Sequence, residues 1–91
     1  MKKNAKHISF SGHVQGVGFR FTAHRIALNY DLTGFVRNTD DGKVELLVQG
    51  NPQNISDCLR DLCDTFGNYI KNTEIEEIPV NPKYTGFQIS F

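Results

Sequence analysis

The chain of 91 residues has no apolar run approaching the roughly 20 residues of a membrane span, so no spanning helix is expected. Its basic start, MKKNAKHISF, lacks the continuous apolar stretch of about 7 to 15 residues that an export signal requires, and a cytoplasmic address is expected. Excess charge is missing as well. Ten Lys and Arg balance ten Asp and Glu, which removes the broad cationic surface from which nucleic-acid binders draw most of their affinity. No nucleic-acid or membrane partner is expected, and any anion bound here should be small and held locally. Cysteine is scarce. Cys58 and Cys63 stand five apart in a helical segment, about 140° from each other around the axis and poorly placed for a mutual disulfide. Both are expected as reduced structural thiols. His7, His13 and His24 show no metal-ligand spacing and are expected as surface or packing residues.

Periodicity supplies the elements. From His7 to Val14 the residues Ile8, Phe10 and Val14 alternate with His7, Ser9, Ser11 and His13, the period of a half-buried strand. Phe19, Ala23, Ile26, Ala27 and Tyr30 then recur at helical spacing. Leu32 to Asn38 return to an extended pattern, and Asp41-Gly42 marks a hairpin turn before the apolar run from Val44 to Val48. Asn51 followed by Pro52 opens a second helix as N-cap and first-turn residue. Its stripe is Ile55, Leu59, Leu62, Cys63 and Phe66, with Gly67 as a left-handed exit. One or two strands follow: the stretch from Thr73 to Val80 breaks strict alternation, whereas Phe87, Ile89 and Phe91 alternate cleanly.

The order predicts a single α+β domain over residues 1–91, a ferredoxin-like βαββαβ sandwich. Two helices should pack on one face of a four- to five-stranded, mainly antiparallel sheet. The first two strands are expected to run parallel with the third paired between them. That brings the loop after the first strand and Asn38, at the end of the second, to one edge.

The loop is GHVQGVGFR, Gly12 to Arg20. A strand turning through glycines into a helix N-terminus leaves backbone amides pointing one way, a concavity suited to an anion. Gly16 and Gly18 can take positive φ and admit a ligand close to the backbone. The Arg20 guanidinium matches two phosphate oxygens, although a cation in the first helical turn opposes the helix dipole by roughly 0.3 to 1 kcal/mol. The residues alone leave open the plainer reading, a tight turn followed by a solvated arginine. A Walker loop is excluded because no Lys-Ser or Lys-Thr follows, and a dinucleotide fingerprint because Phe21 stands where its third glycine belongs. The carboxamide of Asn38 both donates and accepts, as positioning a water requires, but a strand-end Asn also serves merely to bend the backbone.

On these residues the sequence resembles the acylphosphatase family. GHVQGVGFR matches its first signature and GFVRNTDDGKVELLVQG, Gly34 to Gly50, its second. The resemblance implies hydrolysis of carboxyl-phosphate anhydrides by a monomer, with no metal, cofactor or covalent phosphoenzyme. Acyl phosphate would be the substrate and inorganic phosphate a product. Carried onto this chain, it implies that the backbone amides from Gln15 through Gly16, Val17, Gly18 and Phe19 to Arg20 cradle the phosphoryl group. Arg20 binds it, and Asn38 orients the attacking water. The alternative is a non-catalytic module of the same family that binds phosphate or carbamoyl phosphate within a larger machine. Tyr30-Asp31, where many members have Leu-Gly, implies a helix exit through a left-handed Asp31.

Overall fold

A computed structural model describes residues 2–90. The periodic segments become β1 (Asn4–Gly12), α1 (Phe19–Asn29), β2 (Thr33–Asn38), β3 (Val44–Gly50), α2 (Pro52–Phe66), β4 (Ile70–Ile78) and β5 (Phe87–Ser90). The alternation expected to close on Phe91 lies, at that residue, outside the described residues.

The strands form one sheet in the order β4-β1-β3-β2-β5. β3 pairs antiparallel with β1 and with β2, so β1 and β2 run parallel on either side of it as expected. Only the β2–β5 pair is parallel among hydrogen-bonded neighbours. Five strands with two helices realise the ferredoxin-like α+β expectation at its upper strand count. The core lies between helices and sheet. Ile8 and Phe10 from β1, Val44, Leu46 and Val48 from β3, and Val36 from β2 meet Phe19, Ala23, Ala27, Ile55, Cys58 and Leu62 from the helices. Because side chains alternate with a period of two, this burial fixes the registers of β1, β2 and β3; a slip by one residue would turn each apolar set away from the helices.

Asn51 caps α2 as expected, accepting from Gln53 N at 2.8 Å, with Pro52 in the first turn where no amide partner is lost. Asp31 leaves α1 left-handed, at φ 57°. Two expectations for α2 are corrected. Gly67 stays right-handed, at φ −51° and ψ −39°. The chain simply curls on into a turn closed by Tyr69 N donating to Phe66 O at 2.8 Å, so no left-handed reversal is needed. Cys58, not Cys63, belongs to the buried stripe, with Leu59 only partly covered. Spacing of three to four residues from Ile55 to Cys58 to Leu62 keeps the stripe straight, whereas Cys63 falls off it into solvent.

The polar face of the sheet is also less open than alternation suggests. β4 and β5 occupy opposite edges, so residues 79–86 must cross that face. Gln49 pins the crossing, donating from Nε2 to Asn81 O at 2.8 Å and accepting from Asn81 N at 3.0 Å. This explains why Gln49, and Ala5 paired with it, are buried on the side away from the helices.

The two thiols differ sharply in surroundings. Burial, helped by the charge of Asp61, pushes the Cys58 thiol up to about 12, and only the thiolate is nucleophilic. A thiol-reactive reagent at mildly alkaline pH is expected to modify native protein at Cys63 alone, with Cys58 reacting only in denaturant. Counting adducts by mass spectrometry checks this, and prompt double labelling of the folded protein would contradict the placement of Cys58.

Candidate functional site

The carboxyl ends of β1 and β2 reach the same edge because both register on the same residue of β3: Val44 is opposite Phe10 on one side and Asn38 on the other. Between β1 and α1 the chain runs through the glycine loop. Its start is anchored by His13 N donating to Tyr69 O at 2.8 Å, just after β1 shifts register at Ser11 and Gly12. Its end is anchored by Phe19, whose buried ring lies 5.0 Å from Phe10 and 4.7 Å from Phe66, centroid to centroid. Burying such a ring stabilises by roughly 1.5 to 3 kcal/mol. Phe19 therefore fixes the first turn of α1, and with it the direction in which Arg20 leaves the helix.

Gly16 and Gly18 both lie in left-handed backbone, at φ 79° and 80°. A Cβ at either would meet nothing within 4 Å beyond its own chain neighbours. The need for glycine is thus conformational, and the space above both α-carbons is open to a ligand. Gly18 is the N-cap of α1, which has no side-chain cap and no acidic residue in its first turn. The first helical bond is Thr22 N to Gly18 O at 3.2 Å, so amides before Thr22 stand outside the ladder at the positive end of the dipole.

The loop and strand end enclose a cavity of about 270 Å³ lined by Val14, Gly16, Gly18, Phe19, Arg20, Phe21 and Asn38. Five of the seven expected site residues thus share one concavity. Asn38 is half-buried, and its carboxamide has no hydrogen-bond partner among the described residues. It can therefore both donate to and accept from a bound water. The other two turn elsewhere. Val17 packs against the core. Gln15 swings its side chain across the edge and donates from Nε2 to Thr39 O and Lys43 O, both at 2.9 Å.

That clamp was not expected from the sequence, and neither were Val14 and Phe21 as wall residues. A single amide-bearing residue inside a glycine loop was the available signal for Gln15. The turn it grips is itself rigid: Thr39 Oγ1 donates to an Asp41 carboxylate oxygen, Lys43 N donates to Thr39 Oγ1 at 3.2 Å, and Thr39 N to Lys43 O at 2.9 Å. The Thr39 hydroxyl holds the Asp41 carboxyl below its usual range. Asp41 is a turn residue, as expected, and Asp40 lies in the same turn. His7 faces Glu45, at 3.0 Å, and His24 faces the carbonyl of Phe87, at 3.1 Å. Among the described residues no three His, Cys, Asp or Glu are grouped to hold a metal ion.

Comparison with known proteins bears on this geometry. A family model described as acylphosphatase matches residues 6–89. The acylphosphatase of Bacillus pumilus (strain SAFR-032) is 38% identical over 85 residues, covering 91% of this chain and 93% of that protein. Among solved structures, the acylphosphatase from Bacillus subtilis superposes with a TM-score of 0.87 at 27% identity, over 97% of this chain and 99% of that one. HypF from T. kodakarensis aligns at a TM-score of 0.84 and 33% identity over 97% of this chain, but over 12% of its own.

Two sets of substitutions test the geometry. Gly16→Val and Gly18→Val should each cost about 1 to 2 kcal/mol of stability from left-handed strain alone, and should weaken inhibition by inorganic phosphate. Gln15→Ala removes two hydrogen bonds and should cost about 1 to 3 kcal/mol. Urea unfolding measures all three. A Gly18→Val protein of wild-type stability would show that the loop does not hold its left-handed form.

Proposed function

The chain belongs to the acylphosphatase family, and from that premise we propose that the amides from Gln15 to Arg20 receive the phosphoryl group, that Arg20 binds it, and that Asn38 orients the water. The enzyme hydrolyses acyl phosphates, mixed anhydrides of a carboxylic acid and phosphoric acid, to carboxylate and inorganic phosphate. The observation that carries the assignment of residues is the shared cavity, in which Arg20, Gly16, Gly18 and Asn38 line one space at the positive end of α1.

The chemistry asks little more of the protein. Water attacks phosphorus, the bond between phosphorus and the acyl oxygen breaks, and the electron pair leaves with the carboxylate. Both protons of the water go with the phosphate, formed as dihydrogen phosphate, which gives one up to solvent near neutral pH. A carboxylate is a weak base, with a pKa near 4, so departure needs no strong general acid. What remains is to meet the charge on the equatorial oxygens and align the water opposite the leaving group. Preorganised amides and the planar fork of Arg20 serve the first need; a half-buried carboxamide serves the second.

The same reading takes residues 1–91 as one domain, supported by a single buried cluster that draws on both helices and four of the five strands. It takes the protein as a cytoplasmic monomer that binds no nucleic acid. Zero formal net charge supports the last point, and two free cysteines suit a reducing compartment. No described helix is long and apolar enough to cross a membrane. The likeness to part of HypF keeps a second reading in view, a module that binds phosphate or carbamoyl phosphate without turnover.

Purified protein is expected to hydrolyse benzoyl phosphate in the presence of a chelator, followed by the loss of the anhydride's ultraviolet absorbance. Phosphate binding without turnover would favour the module instead, and activity that requires added metal would overturn the mechanism. Arg20→Ala should weaken both phosphate inhibition and turnover, by about 1.5 to 3 kcal/mol for the lost charged hydrogen bonds. Asn38→Ala should lower kcat with phosphate inhibition nearly intact; equal loss of phosphate binding in the two variants would remove the water-positioning role.

A further inference from the structure

α1 buries Phe19, Ala23, Ile26 and Ala27 against the core. Phe21 stands off that stripe, turned about 200° from Phe19, with 77% of its surface exposed. A lone exposed apolar residue is ordinary on a protein surface. The position of this one is not, because Phe21 lines the cavity beside Arg20, in a wall that holds no acidic residue. Leu28, seven residues on, is also exposed on α1 and takes no part in that wall.

Size decides what the ring meets. The cavity holds about 270 Å³, near the lower end of the roughly 300 to 1,000 Å³ usual for ligand pockets. A phosphoryl group and its attacking water take up part of this space, each water alone claiming about 30 Å³. A bulky acyl group extends from them toward the mouth. There the exposed wall is Phe21, a planar apolar face able to stack on, or meet edge-on, another ring.

We propose that Phe21 selects the acyl group, favouring planar apolar acyl phosphates, aromatic ones above all, over small or charged ones. This deepens the proposed function and rests on its phosphate site. Charge in the acyl group would be brought against the ring with no group in the wall to pair with it except Arg20, which the phosphoryl group already engages. Phe21 is a specificity residue: it touches the part of the substrate that does not react, so its removal should be read in the KM for large acyl groups.

The test compares kcat/KM for benzoyl phosphate and acetyl phosphate in wild type, Phe21→Ala, Phe21→Tyr and Leu28→Ala, with the inhibition constant for inorganic phosphate measured in each. The ratio of benzoyl to acetyl kcat/KM is expected to fall roughly tenfold in Phe21→Ala, mainly through KM for benzoyl phosphate. It should persist in Phe21→Tyr, which keeps the ring, and in Leu28→Ala, which removes an apolar side chain outside the wall. An unchanged ratio in Phe21→Ala, or an equal fall in Leu28→Ala, would overturn the proposal. Failure of the underlying site looks different: wild type would then neither turn over either substrate nor be inhibited by phosphate.

Discussion

Everything at the site depends on the two-sided register of β3. Val44 is wholly buried, and it is opposite both Phe10 and Asn38. A strand pinned on both sides by buried apolar neighbours cannot slide by one residue without turning its whole apolar set into solvent. The relative height of the ends of β1 and β2 is therefore as firm as the core itself. From β1 the glycine loop departs, and from β2 comes Asn38. Two segments 20 residues apart in sequence thus meet at an edge set by packing well below it.

The loop adds precision by being held at three points: the Tyr69 carbonyl at its start, the Gln15 clamp across the edge, and the aromatic seat of Phe19 at its end. Glycine makes the left-handed turns possible but also makes the loop entropically costly to order. The clamps offset that cost before any ligand arrives, and a donor array fixed in advance needs no reorganisation as charge develops on the phosphoryl oxygens. Gln15 ties the loop to the hairpin that follows Asn38, so the parts that would grip phosphate and the part that would hold water move as one body.

Much of this was legible in the sequence, and the misses share a cause. Alternation in β1, the stripe of α1, the Asn51-Pro52 cap and the Asp41-Gly42 hairpin are local signals, and each formed as read, except that β1 ends at Gly12, short of His13 and Val14. Where an outcome depended on distant partners, the local reading failed. Gly67 was assigned a left-handed exit from its residue type, but the chain ahead of it required no reversal. Cys63 was counted into an apolar stripe that geometry gives to Cys58. The crossing of residues 79–86 over the sheet followed only once β4 and β5 took opposite edges. At the site, the glycines, Arg20 and Asn38 were visible because their chemistry is written in their types. Gln15 was read for its backbone amide, while its side chain does the bracing.

A neutral chain that binds an anion must do so with local devices, and this explains the division of labour at the cavity. A broad positive field would draw in any phosphate-bearing molecule, nucleic acid included. Backbone amides, a helix terminus and one guanidinium act over a few ångströms, so they can recognise the phosphoryl group and little beyond it. The identity of the acyl group is consequently left to whatever stands at the rim. In this chain the rim carries an exposed phenylalanine, placed one residue beyond the arginine and held there by the same helical turn. On the proposed roles, affinity for the shared part of the substrate and selection of the variable part would rest on adjacent residues of one turn, and the second could vary without disturbing the first.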